Sequence, residues 1–191
     1  MRLTPEKILA SGGEHHVAKY IQGRVIKWPR PERRMPGKTY REIRRDLDLL
    51  VDLKVPMPET EILGPVTIDL GGTSIQVPYC IVSEWLSGHH LTPLDFERIE
   101  VKRDFKSILL ASKALQGSER CVVDLFTGRT LIKAFEPDET LSSNVIVTPE
   151  GASLIDPSLR RLQVDSSRNG FGQRLRSHLQ HYVGEALLRS H

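Results

Sequence analysis

Two oxygen-bearing side chains flank a short apolar hairpin in the second half of the chain. Asn144 stands directly before the apolar run 145–148, and Asp156 ends a second run that follows the turn residues 149–151. Two short runs joined by such a turn predict an antiparallel hairpin, which would bring both side chains to the same end. Amide and carboxylate oxygens are hard ligands that Mg²⁺ shares with phosphates. The pattern therefore predicts a magnesium site with Asn144 and Asp156 as ligands.

A glycine pair and a lysine near the N-terminus have the chemistry to meet a phosphate. Gly12 and Gly13 precede a predicted strand. Adjacent glycines let backbone N–H groups approach a ligand, although such a pair is also typical of a simple turn. Lys27 lies between apolar neighbours in the predicted strand 24–28. Because lysine is seldom buried without a partner, Lys27 indicates either a nearby anion or an edge strand from which it points to solvent.

The residues after the basic loop predict a helix over 39–53 that carries a carboxylate at the border of its apolar face. Thr39 and Glu42 have the spacing of a capping box. Glu42 also borders the apolar stripe, from which it could face inward and pair with Lys27. Both roles are open for Glu42. The stripe consists of Ile43, Leu47, Leu50 and Val51.

The order of the elements indicates an α+β protein with two lobes. Alternating or apolar runs predict strands at 17–21, 24–28, 66–70, 75–77 and 79–85. Helical patterns cover residues 105–115, 118–135 and 171–186. We therefore expect a strand-rich N-terminal lobe over residues 1–86 and a reduced helical C-terminal lobe over 87–191 that contains the hairpin, with a cleft between them.

Composition predicts a folded protein of a reducing compartment. The chain has 191 residues, of which 39% are hydrophobic and 27% are charged, and this excludes a disordered chain. No apolar run approaches the ~20 residues of a membrane helix, and no signal-peptide core follows Met1, so we expect a cytoplasmic protein without a membrane partner. Cys80 and Cys121 lie in apolar surroundings. We expect them to be buried thiols, with one disulfide as the alternative.

Two further groups of residues suggest other ligands. Lysine and arginine are concentrated between Arg24 and Arg45, which could bind the phosphates of a nucleotide or of RNA, or simply form a solvated face. Two pairs of adjacent histidines, at 15–16 and 89–90, suggest a metal. Neighbouring residues of a strand point to opposite faces, however, and no spaced Cys or carboxylate set accompanies them. No metal is therefore assigned to the histidines.

In this order the residues resemble the protein-kinase-like superfamily over positions 8–157. The shared features are a glycine turn, a strand lysine, a helix glutamate, a strand ending at Glu84, and the pair formed by Asn144 and Asp156. No Phe-Gly follows Asp156. In this respect the chain resembles small atypical members, such as aminoglycoside phosphotransferases, RIO kinases and the small kinase of the tRNA threonylcarbamoyl complex.

The resemblance implies a phosphotransferase that uses ATP and Mg²⁺ and acts on a hydroxyl of a protein or a small molecule. Lys27 would hold the α- and β-phosphates and be oriented by Glu42, while the backbone at Gly12 and Gly13 would cover the phosphates. Such a site works by positioning and by neutralising charge.

The resemblance also assigns the adenine and metal contacts. Main-chain groups from Glu84 to Leu86 would meet the adenine. Asn144 and Asp156 would hold Mg²⁺ against the phosphates.

The loop before Asn144 departs from the family pattern. In that pattern a catalytic Asp precedes the Asn by five positions, and a His precedes that Asp by two. Here Glu139 and Pro137 hold those positions, and Asp138 stands one place early. Glu139 and Asp138 are the predicted bases, provided that one reaches the substrate hydroxyl. The altered loop equally fits a pseudokinase that binds nucleotide and serves as a scaffold or regulator.

Overall fold

The computed structural model describes residues 1–11, 15–30, 38–126, 136, 139–162 and 168–190. The chain divides into two compact units. The first unit contains Met1–Asp46 and Pro58–Leu86, and the second contains Leu47–Met57 and Ser87–His191. No helix within the described ranges is long and apolar enough to cross a membrane.

The first unit is built mainly from two sheets. Its strands are β1 (Arg2–Leu3), β2 (Lys7–Ser11), β3 (His15–Tyr20), β4 (Arg24–Pro29), β5 (Thr60–Leu63), β6 (Val66–Asp69), β7 (Ser74–Val77) and β8 (Cys80–Glu84). Helix α1 (Tyr40–Asp52) begins in this unit and ends in the second. The larger sheet has the order β2-β3-β4-β8-β5 and is antiparallel, and the smaller has the order β1-β6-β7. Strand β4 is therefore the central strand of the larger sheet.

Strand β4 is covered on both of its faces. Its residues 25–28 are all buried, and Ile26 and Trp28 are completely so. A strand covered on both faces has no solvent side for a polar residue, which makes any charged side chain in it exceptional. Ile26 and Trp28 pack in one apolar cluster with residues of the smaller sheet, including Ile68 and Val77.

In its described residues, the second unit combines two long helices with five short strands. Its strands are β9 (His89–Leu91), β10 (Cys121–Val123), β11 (Ser142–Thr148), β12 (Gly151–Leu154) and β13 (Leu159–Arg161). Its helices are α2 (Ile99–Ser118) and α3 (Arg168–Ser190). The strands form the sheets β12-β11-β9 and β10-β13. The α+β class is thus confirmed, whereas the two-lobed kinase-like arrangement and its bounds at 1–86 and 87–191 stay predictions.

Aromatic and aliphatic side chains of helix and sheet form the core of the second unit. Phe96 and Phe105 meet edge to face, with ring centroids 5.0 Å apart, and are completely buried. Val145 and Val147 alternate along β11 and join the same cluster. The core is therefore the interface between α2 and the hairpin that carries Asn144.

Both cysteines are buried thiols, as the sequence predicts, and they form no disulfide, so the disulfide alternative is wrong. Burial raises the pKa of the Cys80 thiol to about 12. A thiol with so high a pKa carries almost no thiolate at neutral pH, so Cys80 is a packing residue.

The helix predicted from Ser118 towards Phe135 is wrong in its first part. Ser118 is the last residue of α2, and Arg120 has a left-handed φ of 51°, which turns the chain out of the helix. The next residues form β10, which pairs with β13. Residues 127–135 lie outside the described part of the chain. The spacing of Val122, Leu125 and Phe126 matches a helix, but a strand and the loop after it bury the same three side chains.

The central hairpin is confirmed, with slightly different bounds. Strands β11 and β12 pair in the register Val145 to Leu154, with the turn at residues 149–150. Strand β11 begins at Ser142, so Asn144 lies within the strand and not before it. The second strand ends at Leu154, two residues short of Asp156.

Candidate functional site

Lys27 is a buried lysine on the central strand of the first unit. Its side chain lies in β4 opposite Val17 of β3 and Ile81 of β8, and the residue is 8% exposed. The edge-strand alternative is therefore wrong. An ammonium group in this position needs an anionic or polar partner to offset the cost of burial.

Glu42 caps helix α1, which confirms one of its two predicted roles. Its Oε2 accepts hydrogen bonds from Thr39 N at 2.8 Å and from Thr39 Oγ1 at 2.8 Å. In return Glu42 N donates to Thr39 Oγ1 at 3.3 Å. The side chain lies on the exposed side of the helix. Its other role, as the partner of Lys27, stays a prediction.

Asp46 is a second carboxylate of α1 and is completely buried. It lies one helical turn after Glu42, and its Oδ2 forms an ion pair with Lys38 Nζ. The sequence analysis missed this residue. The available signal was its position three residues after Ile43 and four before Leu50, which places it on the apolar stripe.

The other residues predicted to bind the nucleotide lie in or beside the described strands. Glu84 N donates to Glu59 O at 3.0 Å, and Trp85 N donates to Gly23 O at 2.7 Å. These two N–H groups are therefore occupied by main-chain acceptors. Leu86 takes part in neither bond. Gly12 and Gly13, predicted to cover the phosphates, lie outside the described residues.

The two predicted bases have different outcomes. Asp138 lies outside the described part of the chain. Glu139 is partly buried, and its backbone N donates to Glu136 O at 3.1 Å. The catalytic role of Glu139 stays a prediction.

The histidine pairs contact protein groups. His15 Nε2 lies 3.0 Å from Tyr79 Oη, and the ring of His16 is 5.6 Å from that of Trp28. His89 Nε2 lies 2.8 Å from Asp95 Oδ1. Within the described ranges, no three His, Cys, Asp or Glu side chains come together as a metal-binding group.

Several cations between Arg24 and Arg45 do not belong to an open basic face. Arg24 Nη2 donates to Glu59 Oε1 at 3.0 Å, Lys27 is buried, and Lys38 pairs with Asp46. Residues 31–37 lie outside the described part of the chain. Arg41, Arg44 and Arg45 are exposed on α1, so a basic surface for phosphates stays a prediction.

The two predicted magnesium ligands both lie at the open end of the hairpin in the second unit. Ile155 N donates to Asn144 O at 2.8 Å, so Asp156 directly follows the residue paired with Asn144. Asp156 Oδ1 accepts from Ser158 N at 2.9 Å, and this bond orients its carboxylate. Asn144 Nδ2 donates to Asp124 O at 2.9 Å. The amide of Asn144 is thereby oriented with its nitrogen toward Asp124 and its oxygen left for another partner.

Asp124 is a second acidic residue beside this hairpin end, and the sequence analysis missed it. It directly follows β10, and its Oδ1 lies 2.8 Å from Arg160 Nη2 and 3.5 Å from Arg176 Nη2. Its side chain is 41% exposed, so a substrate could reach it. Nothing local in the sequence joins Asp124 to Asn144, because the two residues meet only through the fold.

Gln180 of α3 fixes the backbone on both sides of Asp124. Its Oε1 accepts from Leu125 N at 3.1 Å and from Phe126 N at 3.4 Å, while its Nε2 donates to Val123 O at 2.8 Å. The residue is completely buried. We refer to these three bonds as the Gln180 clamp. Arg176, one turn earlier on α3, adds a bond from its Nη2 to Phe126 O at 2.9 Å.

His181, the next residue of α3, is held neutral beside the clamp. Ser112 Oγ accepts from Val123 N at 3.3 Å and lies 3.0 Å from His181 Nε2. The hydroxyl proton is thus free to be donated to a neutral imidazole. Burial, aided by the positive charge of Lys113, lowers the pKa of His181 to about 4.

This pKa predicts that acid weakens the fold. The unfolded chain binds a proton near pH 6.5 and the folded one only near pH 4, so stability is complete above pH 6.5 and is lost as the pH falls toward 4. We expect His181 to contribute about 1–3 kcal/mol to that loss. Urea denaturation at pH 6.5 and at pH 4 should show a smaller loss of unfolding free energy for His181→Gln than for the wild type. The control is His90→Gln, an exposed histidine of β9, which should keep the loss of the wild type. Equal losses for His181→Gln and the wild type would contradict the prediction.

The donor set at the hairpin end fits Mg²⁺. Asn144 has an amide oxygen that is not used by its bond to Asp124, and Asp156 has a carboxylate oxygen beyond the one that accepts from Ser158. Both are hard oxygen donors, which Mg²⁺ prefers, and Mg²⁺ commonly completes its octahedron with water and phosphate oxygens.

No family model and no curated protein matches the sequence. Solved structures that are similar to it include two complexes of one protein. One is the streptomycin-ATP-APH(2")-IIa ternary complex, with 13% identity, 96% of this chain and 79% of that chain covered, and a TM-score of 0.38. The other is the gentamicin-APH(2")-IIa complex, with 12% identity, 97% and 80% covered, and a TM-score of 0.40. TM-scores this low carry no inference about the family or the activity of this chain.

Proposed function

We propose that the protein is an ATP- and Mg²⁺-dependent phosphotransferase that acts on a hydroxyl of a protein or a small molecule. The observation that carries the proposal is the hairpin pairing, in which Ile155 N donates to Asn144 O, so that Asn144 and Asp156 both lie at the open end of the hairpin. An amide oxygen and a carboxylate at one end of a hairpin are ligand types that suit a magnesium ion that also binds phosphate. The buried Lys27 supports it, because an ammonium group on a central strand suits the charge of a nucleotide phosphate.

Each unit would contribute its own residues to the reaction. Lys27 would bind the α- and β-phosphates, oriented by Glu42 or by the buried Asp46. The backbone at Gly12 and Gly13 would cover the phosphates. Such groups lower the barrier by holding the phosphates in line and by neutralising their charge.

The hairpin side would supply metal ligands and a base. Asn144 and Asp156 would hold Mg²⁺, which neutralises phosphate charge when bound. The backbone oxygen of Asp124 contacts Asn144. The Asp124 carboxylate is therefore a further candidate, beside Glu139 and Asp138, to accept the hydroxyl proton. Main-chain groups from Glu84 to Leu86 would meet the adenine, and the occupied N–H groups of Glu84 and Trp85 leave Leu86 as the expected donor.

A pseudokinase is the second candidate, and one observation favours it. The Asp124 carboxylate is held by Arg160 and Arg176, and a carboxylate engaged with two guanidinium groups is poorly placed to accept a proton. Such a protein would bind the nucleotide without turnover and act as a scaffold or regulator.

MgATP binding and ATP turnover separate these alternatives. Titration calorimetry with and without Mg²⁺ should show metal-dependent ATP binding by the wild type, weakened at least about 10-fold in Asp156→Ala, since one charged ligand is lost. The control Asp52→Ala removes an exposed carboxylate of α1 and should bind like the wild type. ATP hydrolysis or autophosphorylation by the wild type supports the phosphotransferase. Binding without turnover supports the pseudokinase, and absence of MgATP binding contradicts both.

A further inference from the structure

One peptide group connects helix α3 to the proposed magnesium ligand Asn144. It is the peptide group between Asp124 and Leu125, which consists of the carbonyl of Asp124 and the N–H of Leu125. The Leu125 N–H donates to Gln180 Oε1 at 3.1 Å, and the Asp124 oxygen accepts from Asn144 Nδ2 at 2.9 Å. Gln180 and Asn144 therefore bind opposite ends of the same peptide group.

The geometry of this peptide group transmits orientation from one end to the other. The group is trans and therefore planar, and its N–H and C=O point in opposite directions. A bond that fixes the direction of the Leu125 N–H therefore also fixes the direction of the Asp124 carbonyl. Gln180 thus aims this carbonyl at the side-chain amide of Asn144.

Several bonds hold Gln180 itself in one orientation. The residue is completely buried, and its Nε2 donates to Val123 O at 2.8 Å while its Oε1 also accepts from Phe126 N at 3.4 Å. Leu125 N donates to Val123 O as well, at 3.1 Å, so the second acceptor of this N–H is also bound by Gln180. Rotation of the Gln180 amide would leave buried polar groups unpaired, which is costly.

The side-chain amide of Asn144 takes its direction from the Asp124 carbonyl. The backbone of Asn144 is fixed within β11, where its N donates to Ser142 Oγ at 3.2 Å and its O accepts from Ile155 N at 2.8 Å. These bonds do not distinguish the two ends of the side-chain amide, which are similar in size but opposite in hydrogen-bonding character. The carbonyl does, because it accepts from the nitrogen and leaves the oxygen for Mg²⁺, which takes oxygen ligands.

We infer that Gln180 is a positioning residue of the magnesium site. It acts through the peptide group between Asp124 and Leu125 and keeps the side-chain oxygen of Asn144 available to the metal. The inference rests on the proposed function, because it requires that Mg²⁺ binds with ATP at Asn144 and Asp156. A purely structural role would stabilise the second unit and leave the affinity for the metal unchanged.

The Mg²⁺ dependence of ATP binding tests this role on the whole protein. Titration calorimetry gives the Kd for ATP in EDTA and in saturating Mg²⁺, and we call the ratio of the two values the metal gain. Gln180→Met should reduce the metal gain at least about 5-fold, because one metal ligand loses its orientation, and should change the Kd in EDTA less than about twofold. Gln180→Ala should reduce the metal gain at least about 3-fold, because water that fills the space satisfies the backbone groups without fixing their direction. This variant decides the question if Gln180→Met does not fold.

Two controls separate positioning from stability. Leu187→Ala removes a completely buried apolar side chain of the same helix and leaves a cavity, so it destabilises α3 without changing a hydrogen bond to residues 123–126. Gln180→Glu keeps an oxygen that can accept from Leu125 N. Both variants should keep the metal gain within about twofold of the wild type. Circular dichroism melting gives the temperature range in which each variant is folded, and the titrations are made there.

A second background tests the route through Asn144. A carboxylate carries an oxygen at both ends, so the side chain of Asn144→Asp needs no orientation to offer an oxygen to Mg²⁺. In this background Gln180→Met should change the metal gain by less than about twofold.

The possible results distinguish the inference from the proposed function. A reduced metal gain in the Gln180→Met or Gln180→Ala variant, together with a retained gain in Leu187→Ala, supports the inference. An unchanged gain in the Gln180 variants, or an equal reduction in Leu187→Ala, overturns it while the proposed magnesium site stands. An undiminished effect of Gln180→Met in the Asn144→Asp background overturns it as well. A wild type whose ATP affinity does not respond to Mg²⁺ refutes the proposed function, and the inference fails with it.

Discussion

The Asp124→Asn variant is expected to keep its affinity for MgATP and to lose phosphoryl transfer by about 100-fold or more. The expectation rests on the position of Asp124. Asn144, a proposed metal ligand, donates from its Nδ2 to the backbone oxygen of Asp124, so the Asp124 carboxylate belongs to a residue that contacts this ligand. Asparagine keeps the size of the side chain and loses the capacity to accept the proton. The effect should therefore appear in kcat, with the KM for ATP changed by less than about threefold.

A matched substitution distinguishes Asp124 from the other candidate base. Glu139→Gln is expected to retain turnover within about threefold of the wild type, because its described backbone bond ties Glu139 to Glu136 and not to Asn144. The two variants are compared by initial rates at saturating ATP, and their melting temperatures show whether either has lost stability. Loss of turnover in Glu139→Gln, with Asp124→Asn active, would assign the proton transfer to Glu139. In that case the ion pair with Arg160 would explain the position of Asp124 without a catalytic role.

The Gln180→Met variant is expected to lose about 3 kcal/mol or more of unfolding free energy. Methionine has nearly the same volume but cannot replace the bonds to Leu125 N, Phe126 N and Val123 O. Each buried polar group left without a partner costs about 1–3 kcal/mol. Urea denaturation measures the loss, and hydrogen exchange of the Leu125 and Phe126 amides should become faster.

The neighbouring residue of the same helix supplies the control for Gln180. Leu179 is 45% exposed, so Leu179→Ala should change the unfolding free energy by less than about 0.5 kcal/mol. A loss below about 1 kcal/mol in Gln180→Met would mean that water replaces the side chain, and the clamp would then have no structural role.

The sequence predicts well those elements whose signals are local. Thr39 and Glu42 form the predicted cap because both halves of the capping box lie within one helical turn. The hairpin around residues 145–154 follows from apolar alternation on both sides of a turn. The sequence predicts a helix where β10 lies, because three residues are too few to show a strand period.

The residues that surround Asp124 were missed for a different reason. Arg160, Arg176 and Gln180 reach Asp124 or its neighbours only across long stretches of chain, and a polar side chain on a helix gives no sign of its tertiary partner. Asp46 was within reach of sequence reasoning, because a carboxylate on an apolar stripe must find a cation when it is buried. Polar residues on apolar faces are therefore the informative signals in this chain.

The Gln180 clamp also has a consequence for the order in which the protein forms during synthesis. Leu125 N and Gln180 Oε1 are separated by 55 residues, so the β10 segment leaves the ribosome long before its partner does. Until α3 has emerged, the backbone groups that bond to Gln180 must stay hydrated, and Asp124 lacks its contact with Arg176. Contacts of such long sequence separation close late because the loop entropy must first be offset. A nascent chain arrested before Gln180 should therefore contain the hairpin while its 123–126 segment remains open to protease.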